Sequence, residues 1–234
     1  MSNTQSVNGP ITLAKRTGAI LAGGQARRMQ KLGQFFKQEK TAFRWVHEHY
    51  SNPSHGCIDK GLLLLQKQPL VAWQCQLLRP KVQQLVINAN QNQSFYATYG
   101  RVVADDPGLP QSQGPLIGIL SVLKQSATPW VVFVPIDSPF LPVDYVDRLV
   151  FAQKQEPGHL AYYCHADRDY PLCLLAHVNA QRSLKEYIGS GQRRVMPWLK
   201  KITAAKVSFR SEQAAWFTNI NTPEDYMAAM KQLS

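Results

Sequence analysis

No stretch of the 234-residue chain approaches the ~20 consecutive apolar residues that a bilayer crossing requires, and the N-terminus has no apolar core of signal-peptide length. The sequence therefore predicts a soluble, cytoplasmic protein. Cysteine is scarce: Cys57, Cys75, Cys164 and Cys173 have neither the number nor the close pairing of a zinc ribbon or a secreted disulfide framework, and they read as reduced thiols. Internal repeats and low-complexity tracts are absent. Acidic residues are few, 15 against 26 Lys and Arg, which leaves a formal net charge of +11. Two stretches, 24–60 and 179–206, each hold seven Lys or Arg, and together they carry ten of those eleven charges. Such segments attract polyanions, either nucleic acid or a small phosphorylated ligand, or else serve as solvated faces. Charge alone does not choose among them.

Residues 1–16 are polar and aperiodic, and they read as a mobile leader before a single domain over 17–234. Thr17-Gly-Ala-Ile-Leu-Ala22 is then a short apolar run ending at Gly23-Gly24. Similar runs lie at 85–88, 101–104, 130–134, 161–164 and 172–176, and their continuous hydrophobicity predicts strands covered on both faces. Between them, Leu116, Ile119, Leu120 and Leu123 follow helical spacing, as do Val146, Leu149 and Val150. Thr222-Pro-Glu-Asp225 combines an N-cap hydroxyl, a first-turn proline and an acid three residues on, which marks a final helix. Strands alternating with helices predict an α/β fold with a mainly parallel sheet, whose ligands gather beyond the carboxyl ends of the strands. Residues 31–58 break the pattern and read as an insertion or long loop.

Three features carry chemistry. After the first strand, Leu21-Ala-Gly-Gly24-Gln-Ala-Arg-Arg28-Met29 places glycines where backbone N–H groups can approach phosphate oxygens, or where a tight turn is simply needed. It is neither G-x-G-x-x-G nor a Walker A loop. Arg28 and Lys60 are two cations that would neutralise a triphosphate there. Next, Trp130-Val-Val-Phe-Val-Pro-Ile-Asp137 ends an apolar strand in a carboxylate, which suits either Mg2+ or an Asx turn before Pro139. Finally, Val102-Val-Ala-Asp105-Asp106 ends another strand in acid, ahead of Gly114-Pro-Leu-Ile-Gly118. Strand-end acids, a phosphate turn and paired cations describe metal-assisted phosphoryl or nucleotidyl transfer.

These segments resemble a known family. The run from Leu21 to Met29 is similar to the L-A-G-G-x-x-x-R-M signature of nucleotidyltransferases that activate sugars, alditols and pterins. Asp59-Lys-Gly-Leu-Leu63 with Pro69-Leu70 resembles the continuation found in molybdenum cofactor guanylyltransferases, the MobA family. Val86-Ile-Asn-Ala-Asn90, Asp105, 114–118, 134–141, 170–175, 191–196 and Thr218-Asn-Ile-Asn-Thr-Pro-Glu-Asp225 keep that family's order. The resemblance implies a three-layer αβα, Rossmann-like nucleotidyltransferase fold with a mainly parallel, mixed sheet. It also implies Mg2+-dependent transfer of GMP from GTP to molybdopterin, with pyrophosphate released. Carried over by motif, Leu21, Ala22, Gly23, Gly24 and Lys60 would hold the nucleotide and its phosphates. Asn90 and Asp105 would line the base and ribose side, and Asp137 would bind Mg2+. Lys60, Asp137 and Arg28 would carry catalysis, and Arg193 and Arg194 would meet the anionic pterin. The partners implied are an upstream molybdenum-insertion protein and chaperones of acceptor molybdoenzymes, with no nucleic acid and no membrane.

One departure is plain: the family's arginine-methionine pair precedes Asp-Lys-Gly by a few residues, whereas here 29 residues separate Met29 from Asp59. His47, His49, His55 and Cys57 lie in that segment, at spacings that fit no regular metal site. A rival reading is a cytidylyltransferase acting on a pterin or alditol phosphate, distinguished by its choice of base. A nucleic-acid-binding protein is a further alternative, opposed by acids at the strand ends that would repel a phosphate backbone.

Overall fold

The computed structural model describes residues 10–23, 59–109, 114–165 and 168–233. β1 (Arg16–Leu21) is buried at all six positions because it lies in the middle of a seven-stranded sheet with helices on both faces. The strand order is β5 (Arg101–Val103), β4 (Gln84–Asn88), β1, β6 (Trp130–Pro135), β8 (Arg168–His177), β7 (Leu160–His165) and β9 (Ala205–Ser208). The β5–β4, β4–β1 and β1–β6 pairs are parallel, as is β7–β9, and β8 alone runs against its neighbours. The sheet is thus mixed and mainly parallel, as the sequence predicts. A separate small ladder pairs β2 (Leu64–Leu65) with β3 (Gln68–Pro69), turning through Gln66 and Lys67 at φ 48° and 63°.

The apolar residues of each strand divide by parity between two cores. Ile20, Ile87, Val132, Val134, Tyr163 and Leu175 face a layer of three helices, α1 (Leu70–Leu78), α4 (Tyr145–Gln155) and α7 (Pro223–Gln232). Ala19, Leu21, Val86, Val131, Phe133 and Leu174 face α3 (Pro115–Gln125), α5 (Ala180–Gly189) and α6 (Val195–Lys201). Both faces of the central strands are therefore dry, which is why their sequences read as continuous rather than alternating hydrophobic runs. The short helix α2 (Gln93–Ala97) sits between β4 and β5, on the edge where β4 ends.

The structure describes part of the stretch that the sequence reads as a leader. Of residues 10–16, read from composition as part of a leader, Ile11 is buried and Arg16 opens β1 with its Nε donating to the Thr12 carbonyl at 3.1 Å, while the others are exposed. A long arginine stem can bury its methylenes while its guanidinium finds a carbonyl, and polarity alone hides this. The 31–58 insertion lies outside the described residues, as do Gly24, Arg28 and Met29.

At the end of the sheet where β1 and β6 begin, His177 closes β8 with 3% of its surface exposed, edge-on to Trp130. Its Nδ1 accepts the Asn179 N–H at 3.2 Å, which requires the neutral ring. Burial, and then the neighbouring His159, lower its pKa to about 4. A depressed histidine pKa leaves stability intact above the unfolded value and removes it as pH falls. Urea unfolding midpoints should therefore drop from pH 6.5 towards 4. In His177→Asn, whose amide oxygen can replace Nδ1 as acceptor, the drop over that window should be smaller.

Candidate active site

Three parallel strands end side by side. Leu21 is in register with Asn88 of β4 on one flank and Pro135 of β6 on the other, so the segments following all three emerge on one edge. The ladders run slightly past the strands: Ala22 N–H reaches the Asn88 carbonyl at 2.9 Å, and Ile136 N–H reaches the Leu21 carbonyl at 3.2 Å. These bonds hold Ala22, Gly23 and Asp137 close to the sheet.

On the β6 side, the Lys60 ammonium donates to Asp137 Oδ2 at 3.0 Å and to Asn221 Oδ1 at 2.6 Å. The two charged side chains are 14% and 17% exposed. Each partner arrives from a different element. Asp137 follows β6, and its carbonyl accepts the Ile220 N–H at 2.8 Å. Next to it, Ser138 Oγ donates to Asn219 Oδ1 at 2.7 Å, and the Ser138 carbonyl accepts from Gln74 Nε2 at 2.6 Å. Asn221 precedes α7, whose capping box works as the sequence predicts: Thr222 Oγ1 accepts the Asp225 N–H at 3.2 Å. In return, Asp225 Oδ2 takes the N–H groups of both Thr222 and Asn221, each at 2.9 Å. The cap of the last helix thereby fixes the residue that holds Lys60.

On the β4 side, Asp105 is gripped from three directions. Its Oδ1 accepts from Asn88 Nδ2 at 2.9 Å, and its Oδ2 from Asn90 Nδ2 at 2.8 Å. Its own N–H donates to Asn90 Oδ1 at 2.8 Å. Asn88 is 3% exposed and also donates to the Val103 carbonyl at 3.0 Å. A Cβ on Gly118 of α3 would lie 2.1 Å from Asn88 Oδ1, so only glycine allows the helix this close.

Lys60 stands in a 3-10 turn, Lys60–Leu62, whose N-cap is Asp59. Asp59 Oδ1 accepts the Gly61 N–H at 3.0 Å and the Tyr96 hydroxyl at 2.5 Å, while Oδ2 accepts from Asn92 Nδ2 at 2.9 Å. Burial pushes the Asp59 carboxyl above its ordinary pKa, against these three donors, which favour the charged form. Burial, and then Asp59, push the Tyr96 phenol well above its usual value. Neither group is a surface carboxylate or phenol free to meet a ligand.

Of the residues singled out in the sequence, Leu21, Ala22, Gly23, Lys60, Asn90, Asp105 and Asp137 converge on this edge. Arg193 and Arg194 are exposed just ahead of α6, on the layer shared by α3 and α5, where the Arg194 carbonyl accepts from Tyr187. Sequence reasoning missed Asn88, Asn221 and Tyr96. The first two stand inside motifs already quoted, at Val86–Asn90 and Thr218–Asp225, whereas nothing local marks Tyr96. Among the described residues no group of three or more His, Cys, Asp or Glu converges. A single carboxylate beside an amide oxygen suits a hard cation that takes its other ligands from phosphates and water.

An α/β sheet with a lysine–aspartate pair and an asparagine–aspartate clamp at adjacent strand ends suits nucleotidyl transfer. A family model described as the MobA-like NTP transferase domain matches residues 18–206, and the chain belongs to that family. It is 35% identical over 209 residues to the molybdenum cofactor guanylyltransferase of Haemophilus influenzae, covering 89% of this chain and 94% of that one. It is 37% identical to the enzyme of the same name from Serratia proteamaculans, covering 89% and 91%. Among solved structures, the molybdopterin-guanine dinucleotide biosynthesis protein A of Archaeoglobus fulgidus superposes with TM-score 0.66 over 93% of this chain and 98% of that one, at 19% identity. A 2-C-methyl-D-erythritol 4-phosphate cytidylyltransferase from Thermus thermophilus shares the fold at TM-score 0.55 and 15% identity, over 74% of this chain and 93% of that one.

The Gly118 contact yields a test in which two effects oppose each other. Alanine in mid-helix favours the helix by up to about 1 kcal/mol, but the overlap with Asn88 costs roughly 1–3 kcal/mol. Gly118→Ala should therefore lower the urea midpoint and weaken nucleotide binding. Gly189→Ala at the end of α5, where a Cβ meets nothing within 4 Å, should leave both unchanged or raise stability slightly.

Proposed function

We propose that the chain transfers GMP from GTP to the terminal phosphate of molybdopterin, forming molybdopterin guanine dinucleotide and pyrophosphate. The observation that carries this reading is the Lys60–Asp137–Asn221 group beside the Asn88–Asp105–Asn90 clamp, in a chain about one third identical, over nearly nine tenths of its length, to molybdenum cofactor guanylyltransferases. The cytidylyltransferase alternative rests on fold likeness alone. In the reaction an oxygen of the pterin phosphate bonds to the α-phosphorus while the bond from that phosphorus to the β-phosphate bridging oxygen breaks. No side chain needs to act as nucleophile.

Catalysis then rests on positioning and charge neutralisation. Lys60 meets the triphosphate as a cation already oriented by Asp137 and Asn221. The Leu21–Gly24 backbone lies against the phosphates, and Arg28 adds a second positive charge. Asp105, held by Asn88 and Asn90, offers its carboxylate to donor groups of the base or ribose. Asp137, with Asn221 nearby, would hold Mg2+, which when bound neutralises phosphate charge. Arg193 and Arg194 receive the anionic pterin. The 31–58 segment is an insertion in one domain, and the protein works in the cytoplasm. It receives its pterin from a molybdenum-insertion protein and passes the product to acceptor chaperones.

Calorimetric titration with Mg2+ present should show GTP binding more tightly than CTP or ATP. Tighter binding of CTP would replace the guanylyl reading with the cytidylyl one. Asp137→Ala should cut GMP transfer by about 100-fold or more while thermal unfolding stays cooperative, if at a lower temperature because Lys60 loses its counter-charge, and most of the rate surviving at saturating Mg2+ would make Asp137 a turn residue. Replacing residues 32–56 with a short glycine-serine linker should preserve cooperative unfolding while shifting the KM for GTP or pterin, because loop length adds little closure entropy.

A further inference from the structure

The Asp59–Tyr96 contact has no part in the chemistry above, yet it joins the two halves of the site. Tyr96 is fully buried in α2, which follows the β4 end that carries Asn88 and Asn90. Its hydroxyl crosses to Asp59, the residue before Lys60. Asn92, held at φ 49° just ahead of α2, adds the second tie. From the other side, a Cβ on Gly61 would lie 2.2 Å from the Tyr96 hydroxyl oxygen, so the glycine following Lys60 is what lets the phenol reach the carboxylate. Leu62 and Leu63 then anchor the turn in the core, with 0% and 3% exposure.

We propose that Asp59 and Tyr96 are positioning residues for Lys60: a buried pin that fixes the 59–62 turn so that the ammonium reaches Asp137 and Asn221 without searching. The proposal rests on the nucleotidyl-transfer reading. A lysine carries four rotatable bonds and, on an unrestrained turn, gives up that freedom each time it engages a phosphate. With the backbone pinned and the ammonium held at 3.0 Å and 2.6 Å, much of that cost is met during folding. Neighbouring apolar contacts alone would hold the turn in the core but would not set the direction in which residue 60 leaves it. Asp59 then supplies the acceptor, Lys60 the cation, and Gly61 the space for the phenol.

A double-mutant cycle tests this. Tyr96→Phe keeps the ring and removes the hydroxyl, Lys60→Ala removes the cation, and both are read by steady-state GMP transfer, GTP calorimetry and thermal unfolding. If Tyr96 acts through Lys60, Tyr96→Phe should lower kcat about tenfold or more in the Lys60 background and less than about twofold in Lys60→Ala, while its thermal shift is the same in both. GTP affinity supplies the same cycle where Lys60→Ala turnover is too slow to measure. Equal fold-losses in the two backgrounds, or a Tyr96→Phe enzyme within about twofold of wild type, would overturn the pin. Asp59→Asn, which keeps the shape and exchanges one acceptor oxygen for a donor, runs the same cycle should Tyr96→Phe not fold. Wild type that neither binds GTP nor transfers GMP would instead sink the nucleotidyl-transfer reading, an outcome distinct from either result of the cycle.

Discussion

The ammonium of Lys60, held between Asp137 and Asn221, draws together segments that are 77 and 161 residues from it in sequence. For that ion pair to form, β6 must lie beside β1, the 59–62 turn must close over their carboxyl ends, and the chain must return from β9 to start α7 at the same edge. Taking two charges this far out of water is costly, and pairing them commonly does little better than break even with an apolar contact. The pair is therefore poorly explained as a stabilising device. Under the proposed function it is a cation held in place, able to exchange part of its hydrogen bonding for a phosphate. The packing of both helical layers supports that edge by fixing where the strands end.

Around this pair the polar side chains are held by other polar side chains. Asn88 and Asn90 hold Asp105, Asp225 holds the Asn221 backbone, and Tyr96 with Asn92 holds Asp59. Such networks are worth their desolvation only when every member is satisfied. Glycines at 61 and 118 supply the space they need. This edge carries side chains whose geometry is settled without a ligand, and such preorganisation is what the proposed transfer by position and charge requires.

The sequence revealed the central strands, because burial on both faces leaves an unbroken apolar run that is readable without neighbours. It revealed α3, α4 and the α7 cap for the same kind of reason: periodicity and capping are local. β9 was missed since Ala205–Ser208 is a short edge strand with exposed Lys206 and Ser208, and α1 was missed because Leu70–Leu78 is apolar nearly all round, with Trp73 and Leu77 also packed against the core. Lys60, Asp105 and Asp137 were legible at strand ends and in ordered motifs. Tyr96 was not, because its partner lies 37 residues away and an aromatic residue in a short helix reads as core. Asn88 looked like the end of a strand rather than the start of a site, and its value lies in how close Gly118 allows α3 to come.

The doubly used carboxylate of Asp225 has a consequence for the chain's C-terminal end. Because the group that caps α7 also tethers Asn221, the last helix is a remote support for the Lys60 ammonium. Fraying α7 would loosen Asn221 and free one of the lysine's two tethers while leaving the sheet intact. Anything that binds, clips or tags that helix thus has a route to the position of the Lys60 ammonium through one shared oxygen atom.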